Sequence, residues 1–339
     1  MRGEIGHPAH ILVIRRDNIG DLVCTTPLLT ALRLRHPQAR ISVLANSYNA
    51  TVLEGNDDMD ALYTYTKRKH RGSRSTLAIY WERFRMLREL RRQRVDLAIL
   101  ATPAPDRHGR KLARQVGAKV VMGVDDGSLG LDHAISPADL AGLHQVERIF
   151  LLAGFPKQTA HPLKVVASSE ERAWAEAQLK AAGMPAAKGP VGLHISARKP
   201  CNRWPVERHL ALIERIHQTT GRPVVLFWSP GSATDKRHPG DDELAERIVR
   251  EAGDGTRLIP FPTHELRQLV AGLSQVDVLV CSDGGAMHLA AGLGCPIVCL
   301  FGYDGGREWA PWGEHRLLHA EPLDALEPEQ VYSALQHYL

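Results

Sequence analysis

Short apolar runs without polar alternation recur along the chain, and stretches with helical spacing separate them. Residues 11–15 (ILVIR) form the first run. A strand that stays apolar at consecutive positions is buried on both faces, as the strands of a parallel sheet are. Residues 40–45 (RISVLA), 95–101 (VDLAILA) and 119–124 repeat the signal, and 61–65 repeats it more weakly. Helices are predicted over about 27–35, 76–93 and 146–153. Residues 163–167 read as a further short strand, and 170–182 as a helix ending at Gly183. From Gly183 to Pro190 the chain is rich in breakers, as at the start of a new domain.

The pattern then starts again. Strands are predicted at 191–195, 223–228, 257–260, 276–282 and 296–301, with helices at 206–219, 242–251, 264–273, 286–293 and 328–338. Alternating strands and helices build right-handed βαβ units on a parallel sheet. The expected fold class is α/β, with two Rossmann-like, doubly wound parallel-sheet domains, 1–165 and 166–339, facing across a cleft. Ligands of such sheets bind outside the carboxyl ends of the strands, so the loops after the strands are where chemistry is sought.

Composition agrees with this layout. A length of 339 residues suits two domains of roughly 100–200 residues each. With 44% hydrophobic and 24% charged residues, the chain has the balance of a globular protein rather than a disordered one. Its five cysteines show neither a CxxC pair nor zinc spacing. Cys281, Cys295 and Cys299 lie in apolar runs and read as small core residues, which suits a reducing compartment. The first ten residues lack the apolar segment of a signal peptide. No apolar run approaches the roughly 20 residues that span a bilayer. The expectation is a cytoplasmic protein whose membrane contact, if any, is peripheral.

Charge is unevenly placed. Residues 1–165 hold 25 Lys and Arg against 16 Asp and Glu, a balance of +9, whereas residues 166–339 hold 17 against 22, a balance of −5. The densest cluster, Lys67-Arg68-Lys69-His70-Arg71-Gly72-Ser73-Arg74, precedes a helix rich in arginine. A single charge run is most often a solvated face. A whole half leaning positive points to an anionic partner for that half.

Three loops carry candidate chemistry. The first, Arg15-Arg16-Asp17-Asn18-Ile19-Gly20-Asp21, follows the first strand. Gly20 would allow a tight turn there, and Asp21 at a strand's carboxyl end could act as a general base on a hydroxyl. Equally, Asp17 or Asp21 could do no more than cap the next helix. The loop has neither a dinucleotide fingerprint nor a P-loop pattern. The second runs from His194 to Pro205, where Arg198, Lys199 and Arg203 crowd around Ser196 in a manner suited to an anion. Trp204 reads as a packing anchor. In the third, Ser282-Asp283-Gly284-Gly285-Ala286-Met287-His288, a strand turns through two glycines into a helix. The N–H groups and positive end of that helix make a diphosphate seat, with Asp283 placed to accept from a sugar hydroxyl. His288 on the first turn is either a phosphate donor or an ordinary core histidine. A weaker segment, Phe261 to Leu266, is expected to neighbour the third loop in the sheet and to frame a nucleotide base, unless it is a plain helix entry.

In order and spacing these segments resemble glycosyltransferase family 9, the ADP-heptose:lipopolysaccharide heptosyltransferases, from Ile11 to about Gly313. The carrying motifs are Asn18-Ile19-Gly20-Asp21, Arg203-Trp204-Pro205, Ser282 to His288, and 296–302. The resemblance implies a GT-B fold and inverting, metal-independent transfer without a cofactor. The donor, an ADP-heptose-like nucleotide sugar, would lie on the C-terminal domain and the acceptor on the N-terminal one. It implies Asp21 as catalytic base and Asp283 as donor-sugar ligand. Gly284, Gly285, Ala286, Met287 and His288 would form the diphosphate turn, with Ser196 on phosphate and Thr263 near the adenine. The family's lysine before Trp-Pro is absent, the positions being Asn202 and Arg203; Arg198, Lys199 or Arg203 would take its role. The loop Tyr303 to Trp309 also departs from the family's Gly-Pro-Thr type. Asn18, Lys67, Arg68, Lys69 and Arg71 would bind an anionic lipid-linked glycan at the inner membrane face. The alternatives are another nucleotide-sugar enzyme such as an epimerase, a non-catalytic sugar-nucleotide binder, and a nucleic-acid binder. Only the cluster at 67–74 favours nucleic acid, and no reader motif accompanies it.

Overall fold

A computed structural model describes residues 6–65, 75–156, 161–185, 189–235, 240–253 and 258–339. Its contacts divide the chain into two compact units, Met1–Lys164 and Val165–Leu339. Each is a six-stranded parallel sheet with helices packed on it.

In the first unit the elements run β1 (His10–Ile14), α1 (Ile19–Val23), α2 (Thr26–Arg35), β2 (Arg40–Asn46), β3 (Ala61–Tyr65), α3 (Thr76–Arg92), β4 (Leu97–Leu100), α4 (Arg107–Val116), β5 (Val120–Val124), β6 (His133–Ile135) and α5 (Gln145–Leu152). Every residue of β1 and β4 is buried, as their unbroken apolar runs require. The sheet order is β3-β2-β1-β4-β5-β6. The chain winds outward from β1 to β3, then returns to lay β4 on the other side of β1. That reversal leaves a crevice at the carboxyl ends of β1 and β4.

The second unit repeats this winding with α6 (Ser169–Ala181), β7 (Val191–His194), α7 (Val206–Thr220), β8 (Val224–Trp228), α8 (Asp242–Ala252), β9 (Leu258–Pro262), α9 (Leu266–Leu273), β10 (Val278–Ser282), α10 (Gly285–Gly292), β11 (Ile297–Phe301), α11 (Gly306–Trp309), β12 (His315–His319) and α12 (Pro328–Leu335). Its order, β12-β11-β10-β7-β8-β9, puts the reversal between β7 and β10. The loops after those two strands are the Ser196–Arg203 and Asp283–Gly285 segments.

Several expectations need correction. Residues 163–167 form no strand. Leu163, Val165 and Ala167 are buried, but Lys164 N–H donates to Thr26 Oγ1 and Val165 N–H to Gly292 O, and no ladder forms. Strand β9 does not neighbour β10, because β8 and β7 stand between them. Helix α4 and strands β6 and β12 are absent from the expected elements: in α4 the apolar Leu112, Ala113 and Val116 do share one buried face, whereas β6 and β12 are short, partly exposed strands with no unbroken apolar run. β12, at a sheet edge, is half-exposed throughout. The three core cysteines are buried as expected, and burial pushes the Cys295 and Cys299 thiols up to about 12.

Candidate active site

At the crevice of the first unit, the segment after β1 is not a glycine turn. Asn18 caps α1, and Gly20 and Asp21 lie inside that helix, so no tight turn depends on Gly20. Asp21 Oδ2 accepts from the Asn18 backbone N–H at 2.9 Å and from Asn18 Nδ2 at 3.0 Å. Asp21 Oδ1 accepts from the buried Arg15 guanidinium at 2.5 Å. The same guanidinium donates to the Ala101 carbonyl at the end of β4. Asp21 therefore does cap a helix, and it does so at a strand's carboxyl end. An ionised carboxylate has about four lone-pair sites. Three are taken, which leaves capacity for one further donor such as a hydroxyl.

Around Asp21 stands a polar framework that sequence reasoning missed. Asn46, at the end of β2, donates to the carbonyls of Arg16 at 2.9 Å and Asp17 at 2.8 Å. Asn49 donates to the carbonyls of Asp17 and Asn18, both at 3.1 Å. Arg16 grips both oxygens of Asp106, at 2.6 and 2.8 Å, and lies 5.9 Å from the Tyr65 ring centroid. A polar residue closing the apolar run 40–45 was the available signal for Asn46. Asp106 gave none, since its role depends on the pairing of β1 with β4. Lys67, Arg68, Lys69 and Arg71 lie outside the described residues.

The second crevice brings Asp283 together with residues from two other loops. Tyr303 donates its hydroxyl to Asp283 Oδ2 at 2.8 Å, and Asn202 Nδ2 donates to the same oxygen at 3.3 Å. The Lys199 ammonium lies 3.5 Å from that oxygen and 4.0 Å from the Tyr303 ring centroid. Burial and the adjacent carboxylate both push the Tyr303 hydroxyl well above the usual phenol range. Gly302 makes this assembly possible. A Cβ there would sit 1.7 Å from the Cys201 carbonyl oxygen, so only glycine lets the 200–202 turn pack so close. Gly284, by contrast, has extended backbone, and a Cβ on it would meet open space. No side chain caps α10. Its first N–H groups therefore have neither an intrahelical nor a side-chain partner.

The remaining candidates divide. Arg198 is exposed and has no ion pair among the described residues. Arg203 is committed to the buried Asp241 at 2.8 Å, which leaves Lys199 and Arg198 as the better cations of this loop. Ser196 Oγ accepts from Ser229 N–H at 2.9 Å. Thr263 uses both its N–H and its hydroxyl on the Trp228 carbonyl, at 3.0 and 2.8 Å, so its own carbonyl is what could meet a base. Ala286, Met287 and His288 have buried side chains, and only their backbone reaches the helix end. His288 packs edge-on to Trp309 at 6.0 Å. Trp204 is the anchor expected, buried and donating to the Leu326 carbonyl at 3.1 Å. Among the described residues, no group of three or more His, Cys, Asp or Glu side chains could hold a metal ion.

Comparison with known proteins gives a concordant result. The family description "Glycosyltransferase family 9 (heptosyltransferase)" matches residues 83–331. Lipopolysaccharide heptosyltransferase 3 of Escherichia coli is 23% identical over 306 residues, covering 88% of this chain and 85% of that protein. A family 9 glycosyltransferase from Veillonella parvula DSM 2008 superposes with a TM-score of 0.85 at 21% identity, over 99% of this chain and 98% of that one. The E. coli heptosyltransferase WaaC, solved with ADP, superposes at 0.74 with 18% identity, over 97% of this chain and 100% of that one.

Proposed function

The chain belongs to glycosyltransferase family 9 and has the α/β, GT-B class of fold, and from that premise we propose that it is an inverting, metal-independent heptosyltransferase. It moves a heptose from ADP-heptose to a lipopolysaccharide core or related glycan. In this reading the N-terminal domain binds the anionic acceptor and the C-terminal domain the donor. The protein works at the cytoplasmic face of the inner membrane, in peripheral contact with it, and needs neither cofactor nor nucleic acid.

The observation that carries this reading is the cluster around Asp283. One carboxylate is fixed by Tyr303, Asn202 and Lys199 beside the uncapped start of α10. A sugar hydroxyl can donate to Asp283, while the backbone N–H groups from Gly284 to Met287 receive the diphosphate. Lys199 and Arg198 meet the negative charge that grows on the leaving ADP, which is stabilisation already in place before reaction. Asp21, with one lone-pair site open, takes the proton from the attacking acceptor hydroxyl.

The test incubates the full chain with ADP-heptose and a deacylated core oligosaccharide. Acceptor-dependent ADP release, retained in excess EDTA, with a product heavier by one heptosyl unit, is the expected result. Loss of turnover in EDTA would remove metal independence. Release of free heptose or an epimer without acceptor would point to the epimerase class instead. A thermal-shift panel of ADP, UDP, GDP and CMP sugars names the donor base, since a ligand at 100 times its Kd adds about 2.7 kcal/mol of stability.

A further inference from the structure

Eight large hydrophobic side chains among the described residues are exposed, and four of them sit within eight positions of α3. Leu77 is 81% exposed, Tyr80 54%, Trp81 62% and Phe84 53%. Their spacing of i, i+3, i+4 and i+7 puts them on one face. Trp81 and Phe84 stack on each other with centroids 5.8 Å apart. The opposite face already supplies the core: Met86 and Leu90 are buried in the cluster beneath α3. The helix thus has two apolar faces, and packing within the unit accounts for only one. The other exposed large hydrophobics, Leu34, Tyr48, Trp174 and Val249, are scattered singly and call for no explanation.

The outward face changes character along its length. After Phe84 it continues through Arg88 and Arg91, flanked by Arg85 and Arg92, all exposed. An aromatic and aliphatic half followed by a guanidinium half matches the layered chemistry of an anionic bilayer surface. Indole and phenol rings settle at the boundary between headgroups and acyl chains. Arginines beside them meet lipid phosphates.

We propose that the outward face of α3 is the membrane-docking surface of this protein, with Leu77, Tyr80, Trp81 and Phe84 entering the interface and Arg88 and Arg91 contacting anionic headgroups. The proposal rests on the peripheral contact proposed above and assigns it to one helix face. An anionic bilayer is favoured over a protein partner by the continuous run from exposed aromatics to unburied arginines on one face.

The test sediments the full chain with vesicles of phosphatidylcholine alone and of phosphatidylcholine with phosphatidylglycerol. Wild type should bind the anionic vesicles at least tenfold more tightly than the neutral ones. The W81S/F84S variant should lose at least tenfold on anionic vesicles, and R88E/R91E should lose the preference for anionic lipid. All these positions are exposed, so thermal unfolding should be unchanged, which separates lost docking from lost folding. Transfer to the deacylated acceptor should also be unchanged in W81S/F84S, so failure of the docking proposal and failure of the transferase reading are read independently. Three outcomes overturn the proposal: wild type does not bind vesicles; W81S/F84S binds as wild type does, leaving other basic segments to account for it; or a lipid-free dimer dissociates on W81S/F84S substitution, making the face a contact between copies.

Discussion

Tyr303 donates its phenolic hydrogen to Asp283 at 2.8 Å while the face of the same ring carries the Lys199 ammonium at 4.0 Å from its centroid. One side chain therefore fixes both the carboxylate and the cation proposed to meet the donor. Tyr303→Phe removes the hydroxyl but keeps the ring under Lys199. A hydrogen bond to a charged group contributes about 1.5–3 kcal/mol to stability, so urea unfolding should register a loss of about that size, and the donor KM should rise because Asp283 is no longer held in place. Tyr303→Ala should raise it further, because a cation–π contact at an exposed site adds about 0.5–1 kcal/mol. Steady-state kinetics with varied donor checks both. A donor KM unchanged in Tyr303→Phe would remove Tyr303 from the donor site.

This pair also marks where sequence reading stops. Asp283 was legible because it ends an apolar strand and precedes Gly-Gly at a helix start. Tyr303 was legible only as a departure from the family pattern. Its contact with Asp283 depends on β11 pairing with β10 and on Gly302 admitting the 200–202 turn, neither of which is a local signal. The buried strands were found because burial on both faces leaves an unbroken apolar run. Helix α1 was missed for the opposite reason. Its five residues are too few for a period, so Asp21 was read as lying in a loop. The ion pair of Arg203 was not legible, because its partner Asp241 lies 38 residues away on another loop.

The contact between Arg15 and Asp21 should make the two residues thermodynamically inseparable. Arg15 is fully buried, and breaking a buried pair from one side costs about 3–5 kcal/mol through the charge left behind. Arg15→Met should therefore lower unfolding free energy in urea by about that much. Asp21→Asn keeps an acceptor for Arg15 but turns an amide donor towards Asn18, for about 1–3 kcal/mol. Its turnover should fall by roughly 10²–10⁴, the usual contribution of a positioned base, with donor affinity unchanged. The double variant should cost less than the sum of the singles. Strict additivity would mean the pair is not coupled, and near-wild-type turnover in Asp21→Asn would remove it as base.

Arg198 and Arg203 should separate function from stability within a single loop. Arg203→Ala strands the buried Asp241 and should cost about 3 kcal/mol in urea unfolding. Arg198→Ala leaves no buried partner unpaired and should leave stability within about 0.5 kcal/mol of wild type. Its kcat/KM should nevertheless drop if, as proposed, this exposed cation meets the leaving diphosphate. A stability loss in Arg198→Ala equal to that in Arg203→Ala would contradict this division.

His209 should set part of the acid limit of stability. It lies on the first turn of α7, 4% exposed and edge-on to Trp204 at 5.0 Å, and its Nδ1 has no hydrogen-bond partner among the described residues. Burial lowers its pKa from the usual 6.5 to about 4. The native state thus holds a neutral imidazole down to about pH 4, whereas the unfolded chain takes up a proton near pH 6.5. With more protons bound in the unfolded state, stability falls as pH falls. The contribution of the neutral ring is complete above about pH 6.5 and is lost progressively towards pH 4. Between pH 8 and pH 4.5 the loss attributable to this ring is roughly 2–3 kcal/mol, at 1.36 kcal/mol per pKa unit. His209→Phe preserves the edge-on packing and removes the titration. Urea unfolding at pH 8, 6 and 4.5 should show the variant losing about that much less than wild type on acidification, with the two curves running parallel above pH 7. Parallel curves across the whole range would mean that the ring is protonated, or reached by water, in the native state.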